Sequence, residues 1–351
     1  MSAATTAILS PARVTEPRAL SSLAMLVVGC CRWTESSALH RLHTMCYSAQ
    51  IKADFTRFIR QYGGDLQLEE FAKIYFERSS NPRIKIPKAV DAAFASPTTD
   101  QERDIKGLID GFNAQQATAL EQDLFKQRKR LAHAERSLQT KTTKKATEDV
   151  RIATDKIERG RLKLADLSRT ELLDRDARFF PGSYAPVIVW EGGRRVVKPM
   201  RYQCRLAGKP ANYDSRFPGT YNARRDNLEG FWRDLFGYTH GLIVVNRFFE
   251  HVDRDGTDVV LEFDPDPAQD MLVACLWSHW TEPGEPDLLS FAAVTDDPPP
   301  EVAAAGHNRC IVPIKPENVD AWLQPDPTRL RDLYAILDDR ERPYYEHRLA
   351  A

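Results

Sequence analysis

The spacing of apolar positions changes twice along the 351-residue chain, and each change predicts a different kind of element. Early on, Ala53, Phe55, Phe58 and Ile59 share one face at helical spacing, and Gly63-Gly64 closes that helix. A second helix is predicted from about Leu68 to Arg78, followed by an irregular run punctuated by Pro82, Pro87 and Pro97. From about Ala117 to Leu167 the period becomes seven, in two series: Leu124, Leu131 and Leu138, then Val150, Ile157 and Leu164. The step of twelve from Leu138 to Val150 breaks the phase, and Thr140 to Thr147 (TKTTKKAT) fills it with poor helix formers. This predicts two helices folded back as a hairpin. One long frayed helix is the other reading of the same pattern.

From Phe179 the pattern shortens to apolar or β-branched runs bounded by turn residues. Strands are predicted at Pro186 to Trp190, Arg194 to Pro199, Gly241 to Val245, Val259 to Phe263, Met271 to Trp277, Leu289 to Thr295 and Arg309 to Ile314. Glu317 to Leu323 and Pro327 to Leu337 read as closing helices. Many strands with few helices between them predict an α+β fold, a curved and mostly antiparallel, barrel-like sheet with flanking helices. A long loop at Ala207 to Tyr221 leaves room for a site. The expected organisation is one domain over 45–351 with the hairpin inserted at 117–167. Residues 1–44 read as a disordered leader, or as an over-long start with Met45 as initiator.

Charge adds one feature. The chain carries a formal net charge of −1, yet residues 126–163 hold thirteen Lys or Arg against five acids, an excess of eight that leaves −9 for the rest. Such an arm suits phosphates, and it equally suits a solvated hairpin with no partner. Six cysteines (Cys30, Cys31, Cys46, Cys204, Cys275 and Cys310) form no CxxC pair, which argues against structural zinc and for reduced thiols in a cytoplasmic protein. No cofactor is expected. No apolar run reaches the roughly 18 residues of a membrane span. Leu20 to Cys31 (LSSLAMLVVGCC) loosely resembles a lipoprotein cleavage box, but Pro11, Glu16 and Pro17 stand where a basic start belongs.

Four local patterns carry candidate chemistry: Met45-Cys46; Tyr221-Asn222-Ala223-Arg224; Phe248-Phe249-Glu250 at a strand end; and His307-Asn308-Arg309 before Cys310 to Ile314. Each alone is ordinary. In this order, with Arg178 to Val189 (RFFPGSYAPVIV) between and Asp320-Ala321-Trp322 after, they resemble the SOS-response-associated peptidase (SRAP) family over about residues 45–323. Three departures stand out, the most important being that Cys46 lies behind 45 residues, whereas the family's chemistry needs that Cys at a free N-terminus. The family usually has Gly-Arg after Met-Cys, whereas this chain has Tyr47-Ser48, so a phosphate-contacting arginine is missing at position 48. The family's tryptophans before Asn-Ala-Arg have no clear match in Phe217-Pro218-Gly219.

The resemblance implies covalent capture of abasic sites in single-stranded DNA by a monomeric, cytoplasmic protein that joins the nucleoid when engaged. An N-terminal Cys offers an α-amine with a pKa of about 8 beside a thiol of about 8.5. The amine forms a Schiff base with the ring-opened sugar aldehyde, and the thiol closes a thiazolidine. Cleavage before Cys46 is then part of the mechanism. By the same resemblance Cys46 is the nucleophile, Asn222 orients the amine or sugar, and Glu250 shuttles a proton. His307 assists at the imine, and Arg224 and Arg309 hold flanking phosphates. Two other classes fit the same residues: a conventional cysteine peptidase with Cys46 activated by His307, and a non-enzymatic DNA-binding module built on the basic hairpin.

Overall fold

The helical hairpin stands out first in the structure. In this computed structural model, which describes residues 48–51 and 61–350, two helices run from Asp100 to Thr140 and from Lys144 to Ser168. The first begins well before the expected Ala117, because Thr99 and Glu102 form a reciprocal capping box: the Thr99 hydroxyl accepts from Glu102 N at 3.2 Å and the Glu102 carboxylate accepts from Thr99 N at 3.2 Å. The reversal falls at Lys141 to Thr143, inside the segment of poor helix formers, and Thr143 caps the returning helix. Alanine sets how closely the helices approach: Ala134, Ala146 and Ala153 are buried, and Leu124 fills the space over Gly160. An Arg130–Asp149 pair at 2.5 Å ties the two helices.

A shorter helix, Leu68–Ser80, buries Phe71, Ile74 and Tyr75. Its Arg78 is buried between the rings of Tyr75 and Phe112 and bonds Asp91, which roots the hairpin on the rest of the molecule. Asp91 lies on Lys88–Ala92, a single helical turn within the proline-punctuated run.

The strands form two sheets. Those described first along the chain are β1 (Ser48–Gln50), β2 (Asp65–Leu66), β3 (Arg178–Phe179), β4 (Tyr184–Glu191), β5 (Arg194–Tyr202) and β6 (Asn222–Arg224). They are followed by β7 (His240–Val245), β8 (Arg247–Arg254), β9 (Thr257–Asp266), β10 (Met271–Trp280), β11 (Leu288–Asp296), β12 (Cys310–Ile311) and β13 (Tyr344–Leu349). One sheet has the order β13-β9-β8-β1-β3 and is antiparallel throughout. The other runs β11-β10-β7-β4-β5 and closes on itself where β5 meets β11 in parallel, Arg201 opposite Ser290 and Tyr202 opposite Phe291. The fold is thus α+β, with a closed five-strand barrel and a further antiparallel sheet.

Small and aromatic residues fill the interior between these layers. At Gly241 a Cβ would come 2.8 Å from Val187 Cγ1 and 3.1 Å from Cys275 Sγ, so only glycine fits where β7 crosses the barrel. Trp322, fully buried on the Val319–Leu323 helix, donates to Gly241 O at 2.9 Å and packs on His240. His240 is satisfied on both ring nitrogens by Gly237 N and Trp322 O, and burial pulls its pKa down to about 3, so it stays neutral. Removing a fully buried Trp from such a seat costs about 3–5 kcal/mol.

Two expectations need correction. Glu250 lies inside a strand, since β8 continues to Arg254 through a polar hairpin that the apolar pattern does not mark. The chain also ends in a strand, β13, after the last helix, Leu330–Asp338. Along β13 only Tyr345 is buried, so it is an edge strand with almost no apolar signal. The helix expected over Ala53 to Ile59 lies outside the described residues.

Candidate active site

Strand β11 is the scaffold of the site. Its last residues are flanked on one side by β6 in parallel (Asn222 opposite Ala293, Arg224 opposite Thr295) and on the other by β12 in antiparallel (Ile311 opposite Thr295). This sharing brings Asn222 to Arg309, although 86 positions separate them in the chain. With its oxygen turned to the guanidinium, the Asn222 amide accepts from Arg309 Nε at 2.9 Å and Nη1 at 3.1 Å, and its nitrogen donates to the Thr295 hydroxyl. Both oxygen lone pairs are then used, and one amide N–H remains to donate.

Arg309 in turn holds His307. The His307 Nδ1 lies 2.8 Å from the Arg309 carbonyl, which fixes that nitrogen as the protonated one in the neutral ring. Its Nε2 faces Glu250 Oε2 across 3.2 Å, and both side chains are almost wholly buried. The distance is that of an ion pair, but the atoms are not aligned as a hydrogen bond. Each of these two atoms is therefore buried without a hydrogen-bond partner among the described residues, which is costly. Glu250 comes from β8 in the antiparallel sheet and His307 from the segment before β12, so the pair joins the two sheets.

A glycine sets the approach. Gly306 has φ 100, and a Cβ there would stand 2.7 Å from Val252 Cγ1 on β8. Both facts forbid a side chain just before His307. Gly306→Ala is expected to cost about 1–3 kcal/mol, read as a lowered melting temperature. A Gly306→Ala/Val252→Ala double variant should recover less than expected for the clash alone, since the φ strain persists.

The remaining candidates are placed as follows. Arg309 is buried, with its guanidinium committed to Asn222. Arg224 is partly exposed and pairs with Asp226 at 3.3 Å. It lines a cleft of about 430 Å³ together with Gly219, Thr220, Asn222 and Phe231. The Ala207 to Tyr221 segment leading to this cleft is pinned, because buried Asp214 accepts from Arg201 and Arg205 at 2.6 Å each. Thr295, which fixes the Asn222 amide, was not singled out from sequence; it ends an apolar strand with no local mark of a role.

Cys46 lies outside the described residues. The described cysteines are poor nucleophiles. Burial pushes Cys204 up to about 12 and raises Cys275 well above its usual range. Burial, reinforced by neighbouring Glu250, raises Cys310 too. Among the described residues no group of three or more His, Cys, Asp or Glu is placed to hold a metal. No described helix is long and apolar enough to cross a membrane.

The family model described as SOS response associated peptidase (SRAP) matches residues 136–348, more than half of the chain, and the chain belongs to that family. The match starts within the first hairpin helix, so Met45-Cys46 precedes it. Among solved structures, a structural-genomics protein of Bordetella bronchiseptica is 18% identical with a TM-score of 0.42, covering 52% of this chain and 90% of its own. A protein of Bacteroides thetaiotaomicron is 12% identical with a TM-score of 0.44, covering 51% and 80%. A phage-related protein of Bordetella bronchiseptica is 18% identical with a TM-score of 0.39, covering 54% and 88%. No curated relative matches the chain.

Proposed function

We propose that this SRAP protein captures abasic sites in single-stranded DNA through Cys46, once cleavage before that residue frees its amine. The observation that carries the reading is the buried Glu250–His307 pair at 3.2 Å beside β1. Ser48 is opposite Phe249, the residue before Glu250. Two residues of chain reach about 7 Å at most, so Cys46 is tethered within that distance of Ser48. A buried carboxylate–imidazole pair whose Glu250 comes from the strand beside β1 supports this reading.

The reaction balances as amine plus aldehyde plus thiol giving thiazolidine plus one water. The neutral α-amine adds to the sugar aldehyde, and the carbinolamine loses its hydroxyl as water to leave the imine. The thiol sulfur then adds to the imine carbon, and its proton ends on the ring nitrogen. Glu250 delivers the proton that water loss needs and takes back the proton the nitrogen gives up as the imine forms, with His307 as relay. The free N–H of Asn222 suits a sugar oxygen or the lone pair of the neutral amine. Arg309 acts here by aiming Asn222 and His307, and the partly exposed Arg224 is the better candidate for a phosphate. A direct Cys46–His307 dyad fits less well, because both imidazole nitrogens already face protein groups.

The test is intact-mass spectrometry after incubation with a single-stranded oligonucleotide holding one abasic site. The expected product is a chain beginning at Cys46 plus the oligonucleotide, less one water. Absence of any adduct, or an adduct on a chain that keeps residues before Cys46, overturns the proposal.

A further inference from the structure

Position 48 lacks the arginine that the family resemblance implies, yet a guanidinium does stand there. Arg178 on β3 pairs with Gln50 on β1, and its Nε donates to the Ser48 hydroxyl at 2.9 Å. Its guanidinium carbon sits 3.6 Å from the ring centre of Phe249 and 4.9 Å from that of Phe180. Among the described residues no carboxylate comes within 4.0 Å of it, in contrast to Arg247 on the same sheet, which has Glu262 and Asp264. Burial lowers its pKa, with the more distant Glu262 only partly opposing, as expected of a cation that has lost water without gaining a full counter-charge. Phe180 is 44% exposed, a large ring left open beside this cation.

We infer that Arg178 and Phe180 form a nucleotide subsite on the strand of DNA held at Cys46, the guanidinium taking a phosphate and the Phe180 ring stacking a base. The inference rests on the reading of Cys46 as the capture residue. Three contacts fix the guanidinium (two rings and the Ser48 hydroxyl) and leave its outer N–H groups for a bidentate anion contact, which is the geometry in which Arg surpasses Lys. An exposed ring next to a fixed cation is how single strands are held without sequence preference. Because Arg178 bonds Ser48 directly, the subsite lies within a two-residue reach of Cys46. The guanidinium role moves from position 48 on one strand to position 178 on its neighbour.

The experiment measures equilibrium binding of a fluorescent oligothymidine without any abasic site, across a salt series, so that it reads the subsite independently of capture. Arg178→Gln is expected to weaken binding several-fold and to reduce the salt slope by about 0.7, the value for one phosphate on a single strand. Phe180→Ala should weaken binding by about 5- to 100-fold with an unchanged slope. Arg178→Lys keeps the charge and should restore most of the slope. If Arg178→Gln proves unfolded by circular dichroism, Phe180→Ala and Arg178→Lys still decide the matter. Wild-type affinity and slope in Arg178→Gln, or wild-type affinity in Phe180→Ala, overturns the subsite, whereas intact subsite effects without any abasic adduct overturn the capture reading alone.

Discussion

Glu250→Gln is expected to slow formation of the abasic-site adduct by about 10²–10⁴-fold while leaving the fold intact. The range is the usual contribution of a positioned general acid–base group. Glutamine has nearly the same shape, so it keeps the packing of a side chain that is 1% exposed in β8, but it cannot pass a proton. The buried position sharpens the effect, because bulk solvent has little access to a side chain that is 1% exposed. His307→Ala should act in the same direction and more mildly, since Glu250 still reaches the imine side; it also leaves the Arg309 carbonyl without the ring that engages it. A time course of adduct by denaturing gel, with melting curves on the same samples, separates chemistry from folding. A Glu250→Gln rate within about twofold of wild type would remove Glu250 from the reaction and leave the His307 pair as a structural link between the sheets.

The sequence exposed some of this molecule more readily than the rest, for physical reasons. The hairpin was legible because a seven-residue period and a run of poor helix formers are both local signals. Its true start at Asp100 hung on the Thr99–Glu102 box, a two-residue cue that a hydrophobic count passes over. The core strands were legible because β4, β7, β10 and β11 are buried along nearly their whole length and read as continuous apolar runs. A barrel-like sheet was expected, but which strands close it was not legible, because the pairing of Arg201–Tyr202 with Ser290–Phe291 joins segments almost 90 residues apart and leaves no local pattern. The candidate residues tell a similar story. Asn222, Glu250, His307 and Arg309 were each ordinary taken singly and stood out only through the order of motifs that resembles the family. Their grouping required β11 to hold β6 and β12 together, and Gly306 to let His307 approach β8. Arg178 was visible only as the first residue of the 178–189 segment, since its bond to Ser48 comes with the pairing of β1 and β3.

Cys46→Ala, in protein expressed from Met45, is expected to abolish the stable DNA adduct, the largest effect of any single change. An aldehyde condenses with any neutral amine, so an imine alone does not single out a residue. A thiazolidine needs an amine and a thiol on adjacent carbons, which only an N-terminal cysteine provides. Cys46→Ser retains an amine wherever Met45 is still removed, and its hydroxyl is a far weaker nucleophile toward the imine carbon. That variant should give an imine that borohydride traps but that hydrolyses without it. Cys204→Ser and Cys275→Ser should leave the adduct in place, because both thiols are fully buried and held protonated by desolvation, with no amine beside them. The decisive measurement is peptide mapping of the cross-linked protein. An adduct at wild-type yield in Cys46→Ala, mapped to another residue, would sink the assignment of Cys46, and with it the argument that a free amine beside a thiol is what the Glu250–His307 pair serves.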